Sequence, residues 1–253
     1  MLKTILVFLL LCTSNLIFSQ DSPTAVDPIP ISGLTNSEFD DVKLTVDESA
    51  GAQANPADNL ADRESIADFI NLFGAVDFGT DGAGSTTFGL SISTDGVGTG
   101  LFALDATASN GKGAEILLFD TAGFIEGRTN TSSGDLYFTI SNTGSEIILN
   151  QSANFNIWHP ENTNHNDIVS LNGISGGSTS VTYSINLVQI ITDADGDSDS
   201  AVLNLTEANT SAGSTEYVFN FLDDGPTAVA PTSISDASGI EFEGAKLTVD
   251  ESA

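Results

Sequence analysis

Cysteine and positive charge are both scarce in this 253-residue chain. Its single cysteine, Cys12, falls in an apolar N-terminal segment, so a chain that has lost that segment forms no disulfide. Six basic residues face 35 acidic ones, for a formal net charge of −29. Nucleic acid and anionic membrane surfaces are excluded as partners on that balance, since both need a positive patch to displace counterions. The same balance sets self-repulsion against compaction unless cations offset it. An HExxH motif and a phosphate loop are both missing. Among so many carboxylates no particular pair argues for glycosidase chemistry, and the chain is expected to be non-enzymatic. Gly79 to Gly84, "GTDGAG", lacks the phosphate-binding pattern and reads as an open turn. No apolar run reaches the ~20 residues that span a bilayer.

What is present begins with "MLKTILVFLLLCTSNLIFSQ", in which Lys3 precedes an apolar run from Ile5 to Cys12 and then small and polar residues. This is the pattern of a secretory signal peptide, over 1–20. Leu11 stands where a lipoprotein signal at Cys12 would want a small residue. The mature protein is expected to leave the cytoplasm, with no membrane insertion after signal removal.

The second feature is a repeat. "KLTVDESA" occurs at Lys43 to Ala50 and again at Lys246 to Ala253, and the match extends back without a gap from Pro23 and Pro226 at a constant offset of 203. Seventeen of these 28 positions are identical, among them Ile31, Glu38 and Phe39 with Ile234, Glu241 and Phe242. Such a period implies whole domains in series. Short runs rich in Val, Ile, Phe, Tyr and Thr, separated by Gly, Asn, Asp and Ser clusters, predict about ten strands.

Those strands are placed near Lys43 to Asp47, Thr86 to Ser93, Ala114 to Asp120, Leu136 to Ser141, Glu146 to Gln151, Asn154 to Trp158, Ile168 to Asn172, Val181 to Ile191, Ala201 to Thr206 and Glu216 to Leu222. Only "DRESIADFINLF", Asp62 to Phe73, carries helical spacing. The fold expected is an all-β antiparallel sandwich, Ig-like or jelly-roll-like, with at most one short helix. Its organisation reads as a linker over 21–42, a module over 43–222, a Pro/Gly linker over 223–245 and the truncated start of a next module over 246–253.

The stretches "LTVDESAG", "FGTDGAGSTTFGLSIS", "HPENTNHNDIVSL", "ITDADGDSDSAVLNL" and "NFLDDGPTA" together span most of residues 40–230. In order and spacing they resemble a domain of unknown function that recurs in large bacterial repeats-in-toxin (RTX) adhesins. The resemblance implies a β-rich extender or adhesive module of a secreted or bacterial cell-surface protein, associated with calcium and without enzymatic activity. Its partners would be neighbouring modules of the same chain and surface glycans or a host or biofilm matrix. The nonapeptide repeats of the calcium-binding RTX roll are absent, and the export signal is N-terminal.

Carboxylates concentrate in "DADGDSD", with Asp193, Asp195, Asp197 and Asp199 at every second residue. If extended, all four project to one face, where calcium, which accepts six to eight oxygen ligands, would offset their repulsion. The alternative is a solvated Asp/Gly turn between two strands. An EF-hand does not fit, because the sixth position is Ser198 and the twelfth Asn204. A second candidate lies at the module junction, where Asp223 and Asp224 close one domain and Asp250 with Glu251 open the next; the first-module equivalents of the latter are Asp47 and Glu48. His159 and His165 could join Glu161 or Asp167 on a transition metal, but their spacing reads better as a polar loop. Carbohydrate binding, the alternative function, would use an aromatic platform drawn from Trp158, Tyr137, Tyr183 and Tyr217.

Overall fold

The computed structural model describes residues 22–48, 59–121, 123–160, 167–176 and 181–223. The expected signal peptide, Glu161, His165, Asp224 and the second copy of "KLTVDESA" lie outside the described residues. In chain order the strands are β1 (Leu44–Asp47), β2 (Ala61–Ser65), β3 (Ala83–Ile92), β4 (Val97–Leu104), β5 (Lys112–Thr121), β6 (Phe124–Thr129), β7 (Leu136–Asn142), β8 (Glu146–Gln151), β9 (Ile157–Trp158), β10 (Ile168–Ser170), β11 (Ile185–Asp193), β12 (Ser198–Asn204) and β13 (Phe219–Leu222). They form an all-β sandwich. One sheet has seven antiparallel strands in the order β2-β8-β7-β6-β5-β4-β9, and two three-stranded sheets run β12-β11-β3 and β1-β13-β10.

Alternation makes these strands two-faced. In β11 the residues Ile185, Leu187, Gln189, Ile191 and Asp193 turn inward, while their neighbours are more exposed. The inward faces merge into one core, in which the Phe138 ring on β7 meets Phe221 on β13 at 5.1 Å between centroids. One pair departs from the antiparallel expectation: β1 lies parallel to β13, Asp47 opposite Leu222. The C-terminal ends of the first and last strands are therefore side by side.

Ten of the strands fall where alternation places them, and three do not. β4, "VGTGLFAL", buries every second residue, but glycine at two of the outward positions removes the polar partner that would show the alternation. β6 hides for a related reason: a Cβ at Gly127 would collide with the Phe138 ring, so a strand position is occupied by glycine to admit the aromatic next to it. β2 occupies the first part of the stretch whose spacing predicts a helix. Ser65 ends it and caps the following α2 (Ile66–Ile70), accepting a bond from Ala67 N at 3.2 Å. The expected helix is thus half strand, although its apolar face is placed correctly, with Ile66, Phe69 and Phe73 buried.

The segment read as a linker over 21–42 belongs to the domain. Ile31, Leu34, Phe39 and Val42 are at most 2 % exposed and join the core. A second helix, α1 (Asn36–Asp40), is fixed there by Glu38, whose carboxylate accepts from Thr35 N at 2.9 Å and from the Thr35 hydroxyl at 2.7 Å. Proline content marks this stretch as irregular, not as external. Two short helices therefore stand where at most one was expected. Ile31, Phe39, Leu44 and Val46, all identical in the copy 203 residues on, are among the most buried side chains, so the repeated phrase encodes core. Phe39→Ala is expected to lower unfolding free energy by about 3–5 kcal/mol in urea denaturation; a loss below about 0.5 kcal/mol would return the segment to linker status.

Candidate metal centres

Two groups of ligand-bearing side chains come together among the described residues, each with its ligand atoms within 4.8 Å of one another: Asp81, Asp193 and Asp195; and Glu48, His159 and Asp223.

The first is built where β11 turns into β12. "DADGDSD" is not extended. Asp193 N donates to Asp197 O at 3.0 Å and Gly196 takes φ +106°, so Asp193 to Asp197 close a hairpin, and the aspartates lose the common face that alternation would give them. Asp193 is 3 % exposed, and its Oδ1 accepts from Gly196 N at 3.0 Å and Asp197 N at 2.9 Å. Its Oδ2 is buried without a hydrogen-bond partner. Asp197 thus contributes its backbone to this turn. Asp199 leaves it altogether: its Oδ2 accepts from Ala25 N at 2.8 Å and tethers the N-terminal segment.

Asp81 arrives from the loop before β3. That strand comes close against the end of β11, where the register shifts between Thr192 and Asp193. Gly84 permits the approach, since a Cβ there would collide with the Asp193 carbonyl. Ala194 N donates to Gly82 O at 3.1 Å, which brings the two turns together. The glycines of "GTDGAG" therefore do more than open a turn, and Asp81 was missed because its partners are over a hundred residues away. Carboxylate proximity shows in the titration of the pair. The Asp195 carboxyl is pushed up, chiefly by the Asp193 side chain beside it, which favours a proton shared between the two, and then by burial. For Asp193, burial works upward but is outweighed by the influence of the adjacent Asp195 side chain and by bonds from the backbone N–H groups of the turn, which hold it low.

The second group forms where three strands end together. Glu48 follows β1, Asp223 follows β13, and the parallel pairing sets them side by side, with Glu48 N donating to Leu222 O at 3.3 Å. His159 follows β9. Glu48 Oε1 accepts from Ile157 N at 2.7 Å and also from Gln151 Nε2. Burial raises the Glu48 carboxyl to about 7 against those two bonds, with the charges of Asp223 and Asp47 adding to the rise. His159 is 8 % exposed and neither ring nitrogen has a hydrogen-bond partner. Burial holds its pKa below the usual imidazole value, against the opposing charges of Asp223 and Asp167 and the pull of the nearby Asp167 backbone carbonyl, which falls short of a well-formed hydrogen bond. His159 thus lies in a loop, as expected, but is buried there among ligand-bearing side chains. Asp223, expected to await the next module, meets Glu48 of its own domain.

Of the aromatics expected to form a sugar platform, Tyr137 and Tyr183 are core residues, 6 % and 4 % exposed. Tyr183 donates to Thr99 O at 3.2 Å. Trp158 is half-buried, with Nε1 donating to Asn110 O at 2.8 Å and the Lys112 ammonium 5.1 Å from its ring.

The fold and these centres define an acidic all-β domain with two clusters of ligand-bearing side chains. The model of the domain of unknown function DUF5801 matches residues 43–206, and the chain belongs to that family. Comparison with curated proteins and with solved structures gives no match.

Asp199→Ala removes the acceptor of Ala25 N. Hydrogen exchange at the Ala25 amide is expected to accelerate while exchange in the Asp193 turn is unchanged; equal acceleration at both would show that Asp199 supports the turn itself.

Proposed function

We propose that this domain is a non-enzymatic module of a secreted or cell-surface adhesin-like protein, acting as a spacer or weakly adhesive unit and stiffened by calcium at Asp81, Asp193 and Asp195. The carrying observation is that Asp193, whose buried Oδ2 has no hydrogen-bond partner, is gathered with two further carboxylates. Carboxylate oxygens suit a hard dication with flexible coordination, and backbone carbonyls or water complete such shells. Extracellular modules work at Kd values of about 0.1–1 mM, so three protein carboxylates are adequate. Ligation would tie the loop before β3 to the β11–β12 hairpin and so fasten the small sheet at its turn end.

The repeat supports the modular part of the reading. Residues 23–47 are integral to the core, so the 203-residue period corresponds to one folded unit with its own N-terminal segment, and the residues from Pro226 onward correspond to the start of another. The neighbours in the array, and glycans or matrix at the surface, are the partners this reading assigns. Carbohydrate recognition as the main activity is less well supported, because two of its four aromatics are internal.

Calorimetric titration of the full chain with calcium tests the centre. Saturation at about 100 times Kd should add roughly 2.7 kcal/mol to stability and raise Tm by about 5–10 °C. In Asp81→Asn/Asp195→Asn both the heat and the shift should vanish. An unchanged Tm in the natural sequence would remove calcium from the proposal.

A further inference from the structure

We propose that Glu48, His159 and Asp223 form a second metal site, selective for a borderline transition-metal dication of the zinc type and separate from the calcium centre.

The site stands on how the strand ends converge. The parallel β1–β13 pair delivers two carboxylates to the same edge, and β9 delivers an imidazole to them, all three ligand atoms lying within 4.8 Å. Acids alone would be an ordinary feature of this chain. The independent observation is His159, more than nine-tenths buried and with both nitrogens lacking a hydrogen bond. A neutral imidazole carries one donor and one acceptor, and leaving both unpaired in the interior costs free energy that a folded domain normally avoids. A metal ion takes the acceptor lone pair directly. The other ring nitrogen of a metal-bound histidine usually donates to a carboxylate or carbonyl. Asp167 acts on His159 through its charge and has a buried Oδ2 without a partner, which suits that supporting role.

Ligand chemistry selects the ion. Imidazole nitrogen is a poor ligand for calcium, which takes oxygens, and a good one for zinc, which is held by histidine and carboxylate in four-coordinate sites. Glu48 is already oriented by Ile157 N and Gln151 Nε2. The ion would clamp the ends of β1, β9 and β13 and offset the repulsion between the Glu48 and Asp223 carboxylates.

The test is isothermal titration of the chelator-stripped full chain with zinc chloride, with calcium chloride in parallel. One zinc ion per chain should bind in the presence of saturating calcium and should raise Tm. His159→Gln should weaken that binding at least tenfold, whereas Asp81→Asn/Asp195→Asn should leave it intact. Should His159→Gln fail to fold, the His159 ring resonances in the unmodified chain provide the readout, and they should shift to a new set at one equivalent of zinc. Absence of zinc uptake, uptake unaltered in a folded His159→Gln, displacement of zinc by calcium, or His159 resonances that do not respond would each overturn the proposal.

Discussion

With 35 acids and six bases, a carboxylate in this chain seldom finds a cation, and among the described residues four ion pairs form, involving Lys43, Arg63 and Arg128. The fold depends on backbone N–H groups as the alternative partner. Asp62 accepts from Thr45 N at 2.7 Å, Asp95 from Asp120 N at 2.9 Å and Asp199 from Ala25 N at 2.8 Å, each joining segments distant in sequence. Glu115 Oε1 accepts from Gly100 N at 3.0 Å and Gly176 N at 2.9 Å, linking β5 to β4 and to the loop after β10. An ionised acceptor makes such bonds roughly twice as strong as neutral ones. Charge that would disperse a compact chain is in this way used to join its loops.

Backbone donors run out where carboxylates crowd. At Asp193 two N–H groups satisfy Oδ1 and leave Oδ2, with Asp81 and Asp195 adjacent. At Glu48 one N–H and one side-chain amide are engaged, with Asp223 and His159 adjacent. In both places a proton or a cation has to moderate the remaining repulsion. The raised carboxyls of Asp195 and Glu48 express the protonic solution, and the metal sites proposed express the cationic one. The two clusters differ in composition: oxygen alone at the hairpin, oxygen with nitrogen at the strand ends. Their ion preferences follow from that difference.

Period-two alternation made most strands readable before any coordinates, as did the apolar face of Ile66, Phe69 and Phe73. Alternation fails where glycine replaces an outward residue, as in β4, or an inward one, as at Gly127 in β6, because the glycine there answers to a neighbour's ring or carboxylate across the sheet. It also says nothing about parallel pairing, and the Glu48–Asp223 contact follows from parallel pairing. The turn aspartates were legible as a cluster, but their division was not: Asp193 and Asp195 stay, Asp197 serves by its backbone, and Asp199 belongs to the N-terminal segment. Asp81 and His159 required the fold, since each is a lone residue in its own stretch and acquires meaning from strands far along the chain.

The location of the strand-end cluster bears on how modules in the proposed array would relate. Asp223 and the acids of the next "VDES" look, in sequence, like opposite sides of a junction waiting for a shared ion. The structure brings Asp223 beside Glu48 of its own domain, whose counterpart in the second copy is Glu251. A module that closes its own last strand onto its own first strand gathers its terminal acids internally, where the ion proposed would offset their repulsion. The ion in the proposed array therefore acts within each period, joining first strand to last.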